Sequence, residues 1–299
     1  DGAVKYGVLN LVATTFFLIA IAYLYGLVGT LNIADIAGAV TDLEQGAPIG
    51  AVAALFVLAF AMKAAAVPVQ AWLPAAYHVP RITVAAIFGG LLTKVGVYGL
   101  LRVVVMLLPA AFAPIGPVVG VVAGLTALVG VLAAIAEREV RRLLGFVVIS
   151  GIGVMLVGIA IGTADALAGT IVYVVHSILA TTAIYLTVGA IERASGVTDL
   201  SDGAGTWRDR APLAGLFLVF AFALAGLPPF SGLWPKVMLI EAALAAESPW
   251  LAAVVVVAGF LTTVALGRVF ILLVLRNPRA APAPDSTRGP ARPHDPATA

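Results

Sequence analysis

The 299-residue chain is 62% hydrophobic and 11% charged, with a mean hydropathy of +1.11 and a formal net charge of +2. Soluble domains are about half apolar and about a quarter charged, so composition excludes a water-soluble globular protein and indicates a polytopic α-helical membrane protein. With no cysteine, disulfides and thiolate metal sites are excluded as well.

The chain opens on Asp1-Gly2, without Met or a signal-peptide pattern, and an apolar span begins almost at once. It reads as starting inside a longer protein. Eight spans are expected, at 6–31, 48–72, 82–102, 115–136, 141–162, 167–191, 212–246 and 250–275. About 20 residues suffice to cross the hydrocarbon core. Two of the eight should not be straight. Proline removes a donor and clashes with the preceding turn, so the second span is expected to break at Pro68 and Pro74. The seventh, 35 residues long, is expected to break within "AGLPPFSGLWPK" (225–236), at Pro228 and Pro229. Residues 277–299 are rich in Pro and Ala without apolar periodicity and read as a disordered tail or linker after a transmembrane domain over 1–276.

Lys and Arg set the expected orientation. With the N-terminus in the cytoplasm, Lys5, Arg81, the "EREVRR" loop (137–142), Arg193, "WRDR" (207–210), Arg276 and Arg279 fall inside. The opposite loops hold Asp35, Asp42, Glu44, Asp165 and Glu247, with Arg102 the exception. The tail would then be cytoplasmic.

An internal repeat appears at an offset of 161. "ALFVLAFAMKAAAVPVQAWLP" (54–74) lies over "GLFLVFAFALAGLPPFSGLWP" (215–235) without a gap, with Pro68/Pro229 and Pro74/Pro235 aligned. The two copies would cross in opposite directions, the pattern of an inverted repeat with paired broken helices beside an ion pathway. A fainter echo sets 91–103 beside 260–270 and places Thr263 opposite Lys94.

Five ionisable groups fall within these spans. Lys63 is nine residues before Trp72, roughly 13 Å along a helix, and Lys94 is eight before Arg102, roughly 12 Å. A central lysine costs roughly 2.5–3.5 kcal/mol on insertion scales. His176 is central in the sixth span. Lys236 and Glu241 follow the break in the seventh and could instead pair with each other. A break frees backbone groups that only protein or water can satisfy, and water there would hydrate Lys63 and Lys236. Lysines without a fixed carboxylate and a membrane histidine are groups that can take up and release protons. No phosphate loop, nucleophile elbow, metal-ligand cluster or haem-ligand pair is present, so no cofactor or metal is implied. "GIG" (151–153) reads as helix packing, and basic residues are too sparse for nucleic-acid binding.

The run "KAAAVPVQAWLPAAYHVPRITVAAIFGGLLTKVGVYGLLR" (63–102) resembles the antiporter-like subunits shared by respiratory complex I, membrane-bound hydrogenases and Mrp-type cation/proton antiporters. So do "EREVRRLLGFVVISGIG" (137–153), "VVHSILATTAIYLTVGAI" (174–191) and "LAGLPPFSGLWPK" (224–236). Residues 5–37 look most like the D subunit of Mrp Na+/H+ antiporters. The resemblance implies a fourteen-helix fold with two inverted repeats, of which this chain holds helices six to thirteen, with 1–105 ending the first repeat and 115–276 forming the second. It implies a proton-translocating subunit, not an enzyme, of a hetero-oligomeric cell-membrane Na+/H+ antiporter. Lys63, Lys94, His176 and Lys236 would carry the proton, with Pro68, Pro74, Pro228, Pro229, Thr181 and Glu241 in support. The glutamate partner of Lys63 would lie upstream of Asp1, and Thr181 stands where many relatives carry a lysine. Two other readings stay open: a proton-pumping subunit of complex I or a hydrogenase, and a structural subunit that only packs against a transporter.

Overall fold

The structure is a computed structural model describing residues 2–43, 47–203 and 205–276. The segment 277–299, Glu44 and Arg279 lie outside the described residues. The described chain is α-helical throughout, with one isolated β-bridge between Glu139 and Asp199. The helices are α1 (Gly2–Val28), α2 (Ile33–Thr41), α3 (Ile49–Ala64), α4 (Trp72–Tyr77), α5 (Ile82–Ile87), α6 (Thr93–Gly99), α7 (Pro109–Phe112) and α8 (Gly116–Ala136). They continue with α9 (Val140–Ile161), α10 (Ala164–Ser195), α11 (Thr206–Asp209), α12 (Ala211–Ala225), α13 (Leu233–Ala245) and α14 (Pro249–Val269). Two π-helical stretches, Phe88–Leu92 and Leu100–Val105, join α5 and α6 into one rod over Ile82–Val105, and a third, Phe270–Leu275, extends α14.

Six of these rods are long and apolar enough to cross a membrane, and two shorter apolar helices, Ile49–Ala64 and Ala211–Ala225, are each followed by a second half-helix. The eight expected spans are therefore all present, with ends set by local chemistry. Thr163 caps α10 by accepting from the Ala166 amide, and Gly162 (φ +71°) closes α9 in a conformation that needs no Cβ. The short helix α2 is an addition to the expected spans. Asn32 accepts from the Ala34 amide, and Asp35 sits in the first turn.

The prolines divide into two roles. The first break begins before Pro68: α3 ends at Ala64, and Ala65 takes a left-handed conformation (φ +62°). The second has the same form, with α12 ending at Ala225 and Gly226 at φ +82°. Pro68 and Pro228–Pro229 lie in the unwound segments, and the peptides preceding Pro68 and Pro229 are cis. Pro74 does not break a helix, contrary to expectation. It lies in the first turn of α4, where the missing N–H costs no hydrogen bond, as Pro235 does in α13.

The most buried of the long rods is α9. It meets α8 at close backbone range: a Cβ on Gly153 would lie 2.2 Å from the Ala127 amide nitrogen, and one on Gly130 would lie 2.5 Å from that of Ser150. The small residues of "GIG" thus serve helix packing. At the periphery, α1 leaves most of its surface outward, as suits a helix facing lipid or another chain.

Candidate functional site

The two broken helices share a backbone plan. In the first, the Ala66 amide donates to the Ala61 carbonyl and the Val69 amide to Ala66. In the second, 161 positions on, Leu227 donates to Phe222 and Phe230 to Leu227. Each break leaves carbonyls at the C-terminal end of a half-helix, where the partial charge is negative.

The side chains that satisfy these carbonyls differ. In the first break, Trp72 Nε1 donates to the Met62 carbonyl at 3.2 Å. In the second, Lys236 Nζ donates to Ala225 at 2.5 Å and to Leu224 at 3.1 Å. Lys236 reaches back from the first turn of α13 and is 6% exposed. Gly226 makes room for it, since a Cβ there would lie 2.7 Å from Lys236 Cδ, while Gly232 lets the next turn close onto the first half-helix, since a Cβ there would lie 1.8 Å from the Ala223 carbonyl oxygen.

His176, on α10, lies against the same break. Its Nδ1 pairs with Ser231 Oγ at 3.0 Å. Its Nε2 is buried beside Gly232 and the Ala223 backbone without a well-formed hydrogen bond. One turn along α10, Ser177 and Thr181 approach each other at 3.5 Å. Thr181 and Ser177 then join Ser150, Tyr173, Thr262 and Lys236 around a small polar cavity between α9, α10, α13 and α14. It has room for about one water. Thr181 and Lys236 therefore border the same space, and a hydroxyl stands where the resemblance leads one to expect an amine.

Lys94 is in the first half, 2% exposed, and donates to the Gly89 carbonyl at 2.8 Å. That carbonyl belongs to the π-helical turn Phe88–Leu92, whose shifted pairing makes backbone oxygens available to a side chain. Lys63 approaches from α3. The two helices touch where a Cβ on Gly96 would lie 2.7 Å from the Ala64 amide nitrogen, so Lys63 and Lys94 are one and two residues from a common contact. Lys63 is only half-buried and makes no hydrogen bond or ion pair among the described residues.

The alternative pairing of Lys236 with Glu241 is not made. Glu241 is exposed on α13, and among the described residues it makes no ion pair with Lys236. Five residues along a helix turn a side chain through about 500°, well off the face that holds Lys236. Thr263 does not substitute for Lys94 in the second half either. Its hydroxyl is spent on the Gly259 carbonyl of its own helix, while Thr262 faces the cavity.

Sequence reasoning passes over one cluster. Arg141, on α9, donates through Nε and Nη2 to Glu192 on α10, at 2.9 and 2.5 Å, and through Nη1 to the Pro80 carbonyl at 3.0 Å. The "EREVRR" run signals only topology in the sequence, yet it clamps the α4–α5 turn to the ends of α9 and α10.

A family described as "NADH:quinone oxidoreductase/Mrp antiporter, TM" matches residues 1–262. The chain is 39% identical over 269 residues to the D subunit of a Na(+)/H(+) antiporter of Alkalihalophilus pseudofirmus, covering 90% of this chain and 55% of that protein. It is 30% identical to the Bacillus subtilis protein of the same description, over 95% of this chain and 57% of the relative. The chain thus spans about half the length of the curated relatives it matches. Among solved structures, it superposes with a TM-score of 0.86 and 36% identity on a chain of the Mrp complex from Dietzia sp., covering 93% of this chain and 51% of that one. Respiratory complex I from Thermus thermophilus contains a chain matched with a TM-score of 0.85 and 26% identity, over 93% and 59% respectively.

Proposed function

This chain belongs to the NADH:quinone oxidoreductase/Mrp antiporter transmembrane family, and from that premise we propose that it is the proton-translocating core of a D-type subunit in a multisubunit Na+/H+ antiporter. It is a multi-pass membrane protein. In this reading its membrane is the cell membrane, its C-terminal tail is cytoplasmic, and other subunits of the antiporter are its partners. Residues 1–105 close one half of the subunit and 115–276 form the other.

One observation carries the proposal. Two fully buried lysines, Lys94 and Lys236, are held by backbone carbonyls of a π-turn and a helix break, with no carboxylate in direct contact. Charge placed there at a cost of several kcal/mol is retained for a task. Backbone carbonyls hold each amine without supplying a countercharge, so each can gain and lose a proton as its surroundings change. In this reading Lys63 stores a proton, Lys94 and His176 relay it, and Lys236 exchanges it with one side. Thr181 and Ser177 supply the intervening hydroxyls through a bridging water. Pro68 and Pro228–Pro229 keep the breaks open, and Pro74 starts the following half-helix.

The similarity favours the antiporter over the complex I reading, because identity falls from 39% and 36% to 26% while the fold stays equally close. The test is sodium-driven proton movement in everted vesicles carrying the full-length protein in its complex. Lys94→Ala and Lys236→Ala should each abolish it while the complex still assembles. Undiminished transport by both variants would leave this chain with a structural role alone.

A further inference from the structure

Besides the membrane lysines, the molecule holds a second group of ionisable side chains where the α8–α9 linker meets the α4–α5 turn and the end of α10. Two of its three carboxylates have fixed partners. Glu192 binds Arg141, and Glu137 faces Arg142 Nε at 3.5 Å and accepts from the Arg138 amide at 2.9 Å. Glu139 does not. It is half-exposed, and its Oε2 is buried with no hydrogen-bond partner.

The groups facing Glu139 can be named from each packed element. His78 comes from the α4–α5 turn, Arg141 and Arg142 from α9, Glu137 from the linker and Tyr185 from α10. Asp199, its backbone bridge partner, turns its own carboxylate to Ser201. Arg141 is committed to Glu192 and the Pro80 carbonyl, which leaves Arg142, whose Nε is buried without a hydrogen bond, and His78, whose Nδ1 pairs with the Pro74 carbonyl at 2.9 Å, opposite Glu139. Burial pushes the Glu139 carboxyl above its ordinary value, and the pull of His78, Arg142 and Arg141 only partly opposes this.

The cluster leads inward. Tyr185 donates its hydroxyl to the Arg141 carbonyl at 3.3 Å, and its ring lies against Gly89, where an added Cβ would be 2.8 Å away. The Gly89 carbonyl is the acceptor of Lys94 Nζ. Tyr77, beside it, donates to Phe88 in the same π-turn at 3.1 Å. Tyr185 thus stands between the cluster that holds Glu139 and the π-turn that holds Lys94.

We propose that Glu139, opposed by His78, is the group through which this protein exchanges protons between water and Lys94. This rests on the proton-translocating reading given above. The transfer balances without a co-reactant: a proton from water protonates the Glu139 carboxylate, then passes by way of water at the Tyr185 hydroxyl to the neutral Lys94 amine, leaving carboxylate and ammonium. The reverse steps release it.

The test is the pH profile of proton transport by the reconstituted full-length complex carrying Glu139→Gln, Glu139→Asp, His78→Gln or Lys94→Ala. Glu139→Gln should slow transport at least about tenfold at alkaline pH, where protons are scarce, and less at acid pH, so that the alkaline limb moves to lower pH. Glu139→Asp should restore it. His78→Gln should displace the same limb, and it decides the matter if Glu139→Gln fails to assemble. If Lys94→Ala abolishes transport while Glu139→Gln and His78→Gln keep the native profile, this inference is overturned and the reading beneath it stands. If Lys94→Ala transports normally, that reading has failed as well.

Discussion

Lys236 Nζ is bound to the carbonyl of Leu224, and Leu224 is the repeat counterpart of Lys63. The second half of the chain has Leu where the first half has a lysine, and a lysine twelve residues on reaches the same place through space. Lys236 fills the carbonyls freed by its break. At the other break the indole of Trp72 does so, and Lys63 is left free of them.

Stability should therefore respond differently at the two lysines. Lys236→Ala leaves two buried carbonyls without a donor and should cost about 1–3 kcal/mol. Lys63→Ala, at a half-buried site, should cost about 0.5 kcal/mol or less. Thermal unfolding of the purified complex in detergent would compare them, and equal losses would contradict the role assigned to Lys236.

The second break depends on the absence of a side chain at Gly232. In Gly232→Ala the new Cβ would need the space of the Ala223 carbonyl oxygen, 1.8 Å away, and backbone there cannot yield cheaply. The start of α13 must shift, and the Lys236 contacts with it. Loss of transport with retained assembly is expected, whereas Gly215→Ala, which meets nothing within 4 Å, should be silent. Vesicle transport of the two variants side by side checks this.

Arg141 and Glu192 form the one bidentate ion pair among the described residues, with side chains 20% and 5% exposed. Glu192→Gln should cost about 3 kcal/mol, because a largely buried guanidinium loses its countercharge. Arg141→Lys should cost nearly as much, since one ammonium cannot serve both Glu192 and the Pro80 carbonyl in the same geometry. Limited proteolysis in the 78–81 turn would report the released clamp.

Glu139 carries a pH signature in stability as well as transport. Its carboxyl is held above the ordinary value of 4.5, chiefly by burial. A carboxyl raised on folding leaves full stability below the unfolded value and removes some as pH climbs through the folded one. The native protein should accordingly lose stability as pH rises from 4.5, and Glu139→Gln should lose less. Unfolding midpoints of both proteins from about pH 4 to about pH 8 would show the curves diverging with rising pH, and parallel curves would contradict it.

Much of this molecule is legible in the sequence because hydropathy alone dictates membrane helices. Every span is visible there, and the aligned prolines Pro68 and Pro229 mark both breaks. The finer geometry follows other rules. Pro74 and Pro235 look like breakers in a string of residues but fit the first turn of a helix, where a proline is harmless. The π-turn that holds Lys94 carries no local sequence signal, and its Gly89 and Gly90 lie against Tyr185 and Thr182 from a distant helix. Glu241 is a partner for Lys236 by proximity in the chain, but helical rotation points it away. The Arg141–Glu192 clamp joins residues 51 apart, a separation no local pattern reveals.

The central claim is that buried lysines held by backbone carbonyls move protons. Its most direct measurement is sodium-driven proton transport in everted vesicles by the full-length complex carrying Lys94→Ala, with assembly verified on the same membranes. The account predicts an assembled complex with transport abolished. An assembled complex transporting at the native rate would contradict it.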